Sequence, residues 1–452
     1  MRIALVVHCF FPAHFYGTET YTLELARNLR DLGHDPLVIS AVFPGEPADP
    51  EIFSYYEYEN IPVYCINKNR FPNTRVKDTY YQPELKDFYR DLFSRLQPDI
   101  VHVTHLINHT AVVLEVLAEL NLPVVTTMTD FFGFCFNNKL EAANGSLCTG
   151  PSASRTNCLA CLLKARAQNP GITWVDRAAG TWPLSYMTGL GLNLLRRSPG
   201  LRAGRIAGFV LDVTLRPDIL TRYYNTYRAA IAPTDFLRDA YIMNGLQTPI
   251  HKIHFGVDIA RAPKPMQNAN VPLRFGFIGQ IAPHKGVDIL IDAFCRLQKE
   301  GTSLDIFGPE DQDPAYMNTL RAMTQGHDIH FRGTFPKEQM AEIFAGLDFL
   351  VIPSRWYENS PLVLLNSLAT HTPVIIANVK GMTEFIELGK NGYIFRRGSA
   401  ESLAKVLRSI VDDPQKARAM SSTTTYEKTT RTMTKEVIEL YHVVKAERTV
   451  TV

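Results

Sequence analysis

The residues best suited to chemistry lie in one stretch of the second half, FLVIPSRWYENSPLVLLNSLATHTPVII at 349–376. Its first four residues predict a buried strand, and Ser360 as N-cap with Pro361 at the first helical position predicts a helix start. A helix start presents free backbone N–H groups and the positive end of the helix dipole. We therefore expect an anion such as a pyrophosphate to bind beside Asn359, Ser360, Pro361 and Leu362.

Two polar residues flank this expected anion site. Glu358 precedes the helix, and its carboxylate is suited to binding sugar hydroxyls. Asn366 lies about a turn and a half into the helix and faces the same side. Because an Asn side chain both donates and accepts hydrogen bonds, we predict that Asn366 binds a polar part of the same ligand.

A lysine precedes another predicted helix in this half of the chain. The strand predicted at 275–278 runs into Gly279 and Gln280, and Lys285 precedes a glycine and a helix with one apolar face. A lysine beside a glycine is most often a solvated surface side chain. Its place between a strand, a glycine loop and a helix start favours phosphate binding by Lys285, with Gly279 and Gln280 beside it.

The first half opens with a strand, a helix and a second strand, the doubly wound α/β pattern whose ligands bind at the carboxyl ends of strands. Gly17, in the first loop, either lets the backbone approach a ligand or supplies only its torsion angles. His105 and Asp130 follow two later strands. We predict Asp130 as a catalytic residue, although a capping role for Asp130 and helix packing for His105 also explain them.

Four cysteines, Cys135, Cys148, Cys158 and Cys161, are spaced C-x12-C-x9-C-x2-C. The segment between them is polar and rich in turn-forming residues, so it cannot build a core of its own. Four thiolates suit one tetrahedral Zn²⁺ ion, which would be structural and without an open position for catalysis. An iron–sulfur cluster and unligated thiols are the alternatives.

Composition places the chain among soluble globular proteins. Its 452 residues are 46% hydrophobic and 20% charged, and a chain of this length favours two or three domains. A formal net charge of +2 gives no overall attraction to nucleic acid. No apolar run reaches the roughly 18 residues of a membrane span, and the N-terminal run has no signal-peptide cleavage site. We expect a cytoplasmic protein.

A basic and apolar insertion occupies residues 172–227. Its aromatic and basic residues include Trp174, Trp182, Tyr186, Arg196 and Arg197. This is the composition of a surface that binds anionic lipid, which would place the protein on the inner face of the cell membrane. An insertion that packs a small core of its own explains the same residues equally well.

These motifs resemble those of the retaining glycosyltransferases of family 4, which have the GT-B fold. The Glu-x7-Glu pattern with which that family binds a nucleotide sugar is similar to Glu358 and Asn366, where Asn replaces the second Glu. The G-R-x4-K-G motif that binds the diphosphate resembles Gly279 to Gly286, with Gln280 in place of Arg. The His-Asp pair of the family resembles Thr129-Asp130.

The resemblance covers nearly the whole chain and implies two Rossmann-like doubly wound domains that face across a cleft. We expect them at 1–262 and 263–430, with a helix at 431–452 returning to the first. The implied activity is hexosyl transfer with retention from a UDP- or GDP-linked sugar to an acceptor hydroxyl, without a catalytic metal. The acceptor would be a lipid-linked glycan or a cell-surface polysaccharide. A nucleotide-sugar epimerase of this fold and a non-catalytic nucleotide-sugar-binding subunit are the alternatives.

Overall fold

The computed structural model describes residues 1–168, 173–195, 205–261, 264, 271–297 and 301–450. The chain forms two compact units. The first comprises Met1–His254 and the chain from Arg431 onward, and the second comprises Phe255–Thr430. The chain therefore leaves the first unit before the expected boundary at 262/263.

An eight-stranded sheet forms the centre of the first unit. Its strands are β1 (Arg2–Val6), β2 (Asp35–Val42), β3 (Phe53–Tyr58), β4 (Ile61–Asn67), β5 (Ile100–Val103), β6 (Val124–Thr127), β7 (Ala229–Ala232) and β8 (Ile250–Lys252). Their order is β3-β4-β2-β1-β5-β6-β7-β8, and β3 alone among these strands is antiparallel to its neighbour. Because β2 and β5 lie on opposite sides of β1, the winding reverses at β1, where α/β sheets bind ligands.

Helices cover this sheet and form the insertion that follows β6. They are α1 (Gly17–Asp31), α2 (Lys86–Leu96), α3 (Val112–Glu119), α4 (Thr156–Ala167), α5 (Trp174–Ala179), α6 (Leu184–Leu195), α7 (Arg205–Tyr224) and α8 (Asp235–Met243). The C-terminal helix, Thr430–Val450, joins the same unit. Its Tyr441 is buried, and the Tyr441 Oη lies 2.5 Å from His102 Nδ1. None of the described helices is long and apolar enough to cross a bilayer.

A six-stranded parallel sheet forms the centre of the second unit. Its strands are β9 (Leu273–Ile278), β10 (Thr302–Phe307), β11 (Ile329–Gly333), β12 (Phe349–Ile352), β13 (Val374–Ala377) and β14 (Gly392–Phe395). Their order, β11-β10-β9-β12-β13-β14, becomes 3-2-1-4-5-6 when the strands are numbered within the unit. This is the Rossmann order, and its reversal lies between β9 and β12.

Apolar side chains cover both faces of this second sheet. The helices are α9 (Val287–Cys295), α10 (Pro314–Met323), α11 (Met340–Gly346), α12 (Leu362–Ala369), α13 (Ala400–Asp412) and α14 (Pro414–Ala419). Alternate residues of strand β12 point to the two faces of the sheet. Phe349 and Val351 pack in the same apolar cluster as Leu290 on one face, and Leu350 and Ile352 pack in a second apolar cluster on the other face. Continuous apolar strands of this kind are typical of parallel sheets that are buried on both faces.

Candidate active site

The loops after β9 and β12 meet where the strand order of the second unit reverses. Lys285 and Gly286 lie in the first loop, and the second begins at Pro353. Gly286 has a φ of +73°, and a Cβ at this position would lie 2.2 Å from the Pro353 carbonyl oxygen. A larger residue does not fit this close approach of two backbones. The contact therefore fixes the start of α9 against the loop that carries Glu358.

Lys285 and Glu358 form an ion pair at this junction, with 2.7 Å between Nζ and Oε1. The same carboxylate oxygen accepts hydrogen bonds from Ser354 Oγ at 2.6 Å and from Trp356 Nε1 at 3.1 Å. Glu358 is buried, whereas the Lys285 side chain is partly exposed. The structure thus brings together two residues that the sequence analysis selected from separate motifs.

Opposing effects act on the pKa of Glu358. Burial alone raises the pKa of a carboxyl group because it disfavours the charged form. Here the charge of Lys285 and the hydrogen bonds from Lys285, Ser354 and Trp356 outweigh burial, and the pKa of Glu358 lies below its ordinary value. Glu358 is therefore an anion at neutral pH, suited to accepting hydrogen bonds from hydroxyls.

The helix after Glu358 begins one residue later than we predicted. Pro361 takes the N-cap position of α12 and Leu362 is its first residue. Ser360 is not the N-cap: it has a φ of +54°, and its buried hydroxyl has no hydrogen-bond partner among the described residues. Pro361 has no N–H to offer. The amides of Leu362 and Val363 make no backbone hydrogen bond in the described part of the chain, so they are the open donors at this helix start.

A glycine after β13 supports the same loop from the other side. Gly381 has a φ of +88°, and a Cβ there would lie 1.6 Å from the carbonyl oxygen of Glu358 and 3.7 Å from the Cα of Asn359. The two segments therefore pack backbone to backbone. The position of Glu358 depends on a glycine more than twenty residues further along the chain.

The other residues predicted to bind the donor lie after a strand, within a helix or at a helix start. Gly279 follows β9, its N–H donates to the Phe307 carbonyl at 3.1 Å, and Gln280 beside it is half-buried. Asn366 is half-buried in α12, and its side chain has no hydrogen-bond partner among the described residues. Gly17 is the first residue of α1 and not a loop residue as we predicted, and the space around its Cα is open.

In the first unit, Asp130 and His105 pair at the carboxyl ends of β6 and β5, with 2.9 Å between Asp130 Oδ2 and His105 Nε2. The Ile107 N–H donates to His105 Nδ1 at 3.1 Å, so a neutral His105 carries its proton on Nε2 and donates it to Asp130. Asp130 Oδ1 accepts the Phe132 N–H at 2.8 Å, which is the capping role. Burial opposes ionisation, but His105 and the Phe132 amide lower the pKa of Asp130.

The sequence analysis missed a second His–carboxylate pair beside the first. His8 Nε2 lies 3.1 Å from Glu19 Oε1, which also accepts a hydrogen bond from Cys9 Sγ at 2.9 Å. The His8 and His105 rings lie 4.4 Å apart. The available signal was an acidic residue in the first turn of α1, directly after a loop that opens with His-Cys. Both pairs therefore lie where the winding of the first sheet reverses.

The four predicted metal ligands, Cys135, Cys148, Cys158 and Cys161, line one cavity of about 20 Å³ and form no disulfide. A cavity of this size holds a single ion or water. The Gly150 N–H donates to Cys148 Sγ at 3.4 Å. Burial and the neighbouring thiols raise the pKa of Cys161 to about 12. Four soft donors around one small cavity fit a zinc ion.

No three of the four cysteine sulfur atoms lie as close together as tetrahedral zinc would hold them. Among the described residues, the group of three ligand atoms within 4.8 Å is His8, Cys9 and Glu19, and the four cysteines form no such group. Around tetrahedral zinc the sulfurs lie roughly 3.8 Å apart, because each Zn–S bond is about 2.3 Å. Side-chain rotation toward the cavity would therefore have to accompany metal binding.

Family models match most of the chain. Residues 15–137 match the model described as Glycosyltransferase Family 4, and residues 261–426 match Glycosyl transferases group 1. The chain is 29% identical over 169 residues to glycogen synthase of Mycobacterium tuberculosis, covering 37% of this chain and 41% of that protein. It is 29% identical over 217 residues to D-inositol 3-phosphate glycosyltransferase of Streptomyces avermitilis, covering 45% and 44%. The matches span less than half of each curated relative.

Solved structures share the architecture over nearly the full length. Sucrose-phosphate synthase of Thermosynechococcus elongatus superposes with a TM-score of 0.62 at 15% identity, over 99% of both chains. Anabaena Alr3699/HepE in complex with UDP and glucose superposes with a TM-score of 0.58 at 16% identity, over 97% of this chain and 98% of that chain. The fold is therefore GT-B, built from two Rossmann-like units. With both family models matched on this fold, the chain belongs to the family 4 glycosyltransferases.

Proposed function

We propose that the protein is a retaining glycosyltransferase that moves a sugar from a nucleotide diphosphate sugar to an acceptor hydroxyl. The observation that carries the proposal is the Lys285–Glu358 pair, which lies at the strand-order reversal of the second unit. A cation, open helix amides and a carboxylate are the groups that bind a diphosphate and sugar hydroxyls. The likeness to HepE, whose structure holds UDP and glucose, supports a nucleotide-sugar donor, which we propose to be UDP- or GDP-linked.

In the proposed reaction the bond between the anomeric carbon and the diphosphate breaks, and the diphosphate leaves with the electron pair. Lys285 and the amides of Leu362 and Val363 stabilise the negative charge that develops on it. The acceptor oxygen attacks from the same face and a phosphate oxygen takes its proton, so the anomeric configuration is retained. Glu358 binds donor hydroxyls. A covalent route would need a carboxylate nucleophile, for which Asp130 is the candidate.

Substitution of Lys285 tests the proposal. With UDP-glucose and GDP-mannose as probe donors, we expect the parent to release nucleoside diphosphate from one of them. Lys285→Ala should slow this release by roughly 100-fold or more, because the developing charge loses its cation. Lys405→Ala is the matched control, since Lys405 is an exposed lysine paired with Glu401 at 2.8 Å. Near-parental release by a folded Lys285→Ala protein would refute the proposal.

Product analysis separates the proposed activity from its alternatives. Nuclear magnetic resonance of the anomeric proton should show the configuration of the donor in the product, and an inverted product contradicts retention. Conversion of the donor sugar into its epimer without an acceptor would instead identify an epimerase. Donor binding by calorimetry without any turnover would identify a binding subunit.

We also propose that Cys135, Cys148, Cys158 and Cys161 hold a structural zinc ion. Elemental analysis of protein purified without added metal should find one zinc per chain. The double variant Cys158→Ser/Cys161→Ser should lose that zinc, whereas Cys295→Ser, which alters a cysteine in the second unit, should retain it. Stoichiometric iron, or a folded and active parent without metal, would contradict the assignment.

The insertion presents an apolar helical surface that we propose binds an anionic bilayer. The surface consists of Trp174, Trp182, Tyr186, Met187, Leu190 and Leu194, all exposed on or between α5 and α6. Trp174 is 81% exposed and Leu194 is 57% exposed. The opposite side of α6 packs on α4, because Gly189 brings the two backbones close and Asn193 is buried there. The insertion therefore does not bury its largest apolar side chains in a core of its own.

The charge of the insertion supports an anionic bilayer as the proposed partner. The insertion 172–227 contains seven arginines and three aspartates, and Arg177 is exposed in α5. Aromatic side chains flanked by arginines bind the headgroup region of anionic membranes. Arg196 and Arg197, which the sequence analysis selected, lie outside the described residues. A membrane location would suit a lipid-linked or polysaccharide acceptor.

Vesicle flotation tests the membrane proposal. The parent should float with vesicles rich in phosphatidylglycerol and not with phosphatidylcholine vesicles. Trp174→Ser/Leu194→Ser and Arg196→Glu/Arg197→Glu should each abolish flotation. Met243→Ser is the control and should still float, because Met243 is 74% exposed but lies outside the insertion. Parental flotation of both double variants would refute the proposal. A different outcome is a parent that fails to float but forms a dimer at high concentration. If Trp174→Ser/Leu194→Ser then lost that dimer, the surface would be assigned to a second copy of the chain.

A further inference from the structure

The two oxygens of the Glu358 carboxylate have different surroundings. Oε1 receives three donors: Lys285 Nζ, Ser354 Oγ and Trp356 Nε1. Among the described residues no donor contacts Oε2. Ser354 is fully buried and lies only four residues before Glu358. The carboxylate is thus held in one orientation by one of its oxygens, and the other remains open for a further donor.

Trp356 contacts Glu358 and also two residues of the loop after β9. Its ring centroid lies 3.7 Å from that of His284, which precedes Lys285 in the loop after β9. Lys285 Nζ lies 5.4 Å from the Trp356 ring centroid, within the range of a cation–π interaction. Its indole N–H is bonded to Glu358 and is therefore not available to a ligand. Trp356 ties the loop after β9 to the loop after β12.

We propose that Trp356, together with Ser354, is a positioning residue that orients Glu358 so that Oε2 alone receives a hydroxyl of the donor sugar. The inference rests on the proposed function and deepens it. A carboxylate with one oxygen fixed by several donors does not rotate, so its second oxygen points in a single direction. Specificity for one hydroxyl position of the sugar then follows from geometry.

The same arrangement allows Lys285 to exchange partners. A buried carboxylate that loses its cation without other donors is strongly destabilised. When a diphosphate attracts Lys285, the hydrogen bonds from Ser354 and Trp356 remain on Oε1. Glu358 therefore stays ionised and in place while Lys285 moves to the phosphate.

Steady-state kinetics on the full chain test the proposal, with UDP-glucose or GDP-mannose as donor, whichever the parent turns over. Trp356→Phe keeps an aromatic ring but loses the indole N–H together with the second fused ring, whereas Ser354→Ala removes only the hydroxyl. Each should lower kcat/KM by roughly 10-fold, the effect of one hydrogen bond to a charged group. The binding of UDP or GDP alone should be unchanged, because Lys285 and the α12 amides remain.

The pH profile distinguishes positioning from a general structural effect. A lost donor disfavours the charged carboxylate, so the acid limb of kcat/KM should move to higher pH in both variants. Ser367→Ala is the matched control, because Ser367 is equally buried but its hydroxyl donates to the Thr372 carbonyl at 2.8 Å. An acid limb at its parental position in Ser354→Ala would overturn the inference, whether or not Trp356→Phe folds. A parent without turnover would sink the proposed function and this inference together.

Discussion

Two buried carboxylates, one in each unit, are stabilised in the same way. Glu358 in the second unit and Glu19 in the first each receive several donors on a single oxygen. Burial disfavours the charged form of a carboxyl group, whereas hydrogen-bond donors on one of its oxygens favour that form. Each carboxylate is therefore ionised at neutral pH, and its negative charge is fixed at the carboxyl end of a parallel sheet.

The stability of the first unit should depend on pH through Glu19. Burial raises the pKa of Glu19, but His8 and Cys9 lower it by more, to about 2. Because the folded pKa lies below the unfolded value of about 4.5, the stabilisation is complete above pH 4.5 and is lost as the pH falls toward 2. Glu19→Gln should therefore unfold at lower urea than the parent at pH 7, and the difference should shrink toward pH 3.

An exposed carboxylate provides the control for this titration. Glu338→Gln, at the surface of the second unit, should leave urea unfolding unchanged across the same pH range. A difference between the parent and Glu19→Gln that stays constant from pH 7 to pH 3 would contradict the assigned role of the Glu19 charge.

Gly381 should be more sensitive to substitution than another glycine of similar backbone conformation. Gly381→Ala and Gly398→Ala both place a side chain at positive φ, +88° and +73°, which costs roughly 1–2 kcal/mol. Only at Gly381 would the new Cβ also overlap the Glu358 carbonyl, whereas nothing lies within 4 Å of it at Gly398. We expect Gly381→Ala alone to weaken UDP or GDP binding, measured by calorimetry. Equal effects of both variants would contradict this packing.

Among the elements, α7 holds in place the start of the loop that carries Cys135 and Cys148. Arg216 of α7 is buried and donates to the Cys135 carbonyl at 2.7 Å and to the Phe132 carbonyl at 3.0 Å. It also lies over the Phe132 ring, at 4.8 Å from the centroid. A guanidinium is the side chain that can reach two carbonyls at once. The loop depends on this arginine as well as on its own cysteines.

Removal of that arginine should destabilise the first unit. Arg216→Met should lower the free energy of unfolding by about 2–4 kcal/mol, because two buried carbonyls lose a charged donor. Arg222→Met, on the same helix but exposed, should cost less than about 1 kcal/mol. Urea unfolding followed by circular dichroism measures both. Comparable losses in the two variants would show that Arg216 has no special role.

Helices and strands with a clear pattern of apolar residues could be predicted from the sequence. Local departures from regular backbone conformation could not. The apolar run 349–352 is strand β12 as predicted, because a buried parallel strand leaves this signal in any context. The residue type of Ser360 predicts an N-cap, but Ser360 has a φ of +54° and the helix begins one residue later. Strand β3 has no continuous apolar run of this kind, because it lies at the edge of the sheet with half its side chains exposed.

The candidate site could likewise be predicted only in part from the sequence. Lys285 and Glu358 were selected because each stands beside a helix start, and a strand order shared by Rossmann-like units brings such loops together. Their direct ion pair depends on side-chain contact between two loops, and the donors from Ser354 and Trp356 depend on how the loop after β12 folds. No sequence spacing encodes such contacts. The His8–Glu19 pair was missed for the same reason.

For the whole molecule, the C-terminal helix completes the first unit. Tyr441 packs against His102 of β5, and Lys445 pairs with Asp99 at 2.6 Å. Burial lowers the pKa of His102 to about 3, so His102 is neutral and exchanges hydrogen bonds with Tyr441 and Thr127. The first unit therefore contains both ends of the described chain.

Substitution of Tyr441 should reveal this dependence. Tyr441→Ala should destabilise the first unit by about 3–5 kcal/mol, as expected for a large side chain removed from a core. Tyr441→Phe should cost about 1 kcal/mol, because it removes only the hydrogen bond to His102. Urea unfolding at pH 7 measures both. Parental stability of Tyr441→Ala would show that the helix contributes nothing to the first unit.

The C-terminal helix, which completes the first unit, is synthesised after both sheets. A ribosome makes the first sheet, then all of Phe255–Thr430, and only then the residues that bring Tyr441 to His102. The second unit can complete its fold before that helix is made, whereas the first cannot. Its sheet is the older part of the polypeptide, yet it is the part that chaperones would shield longest.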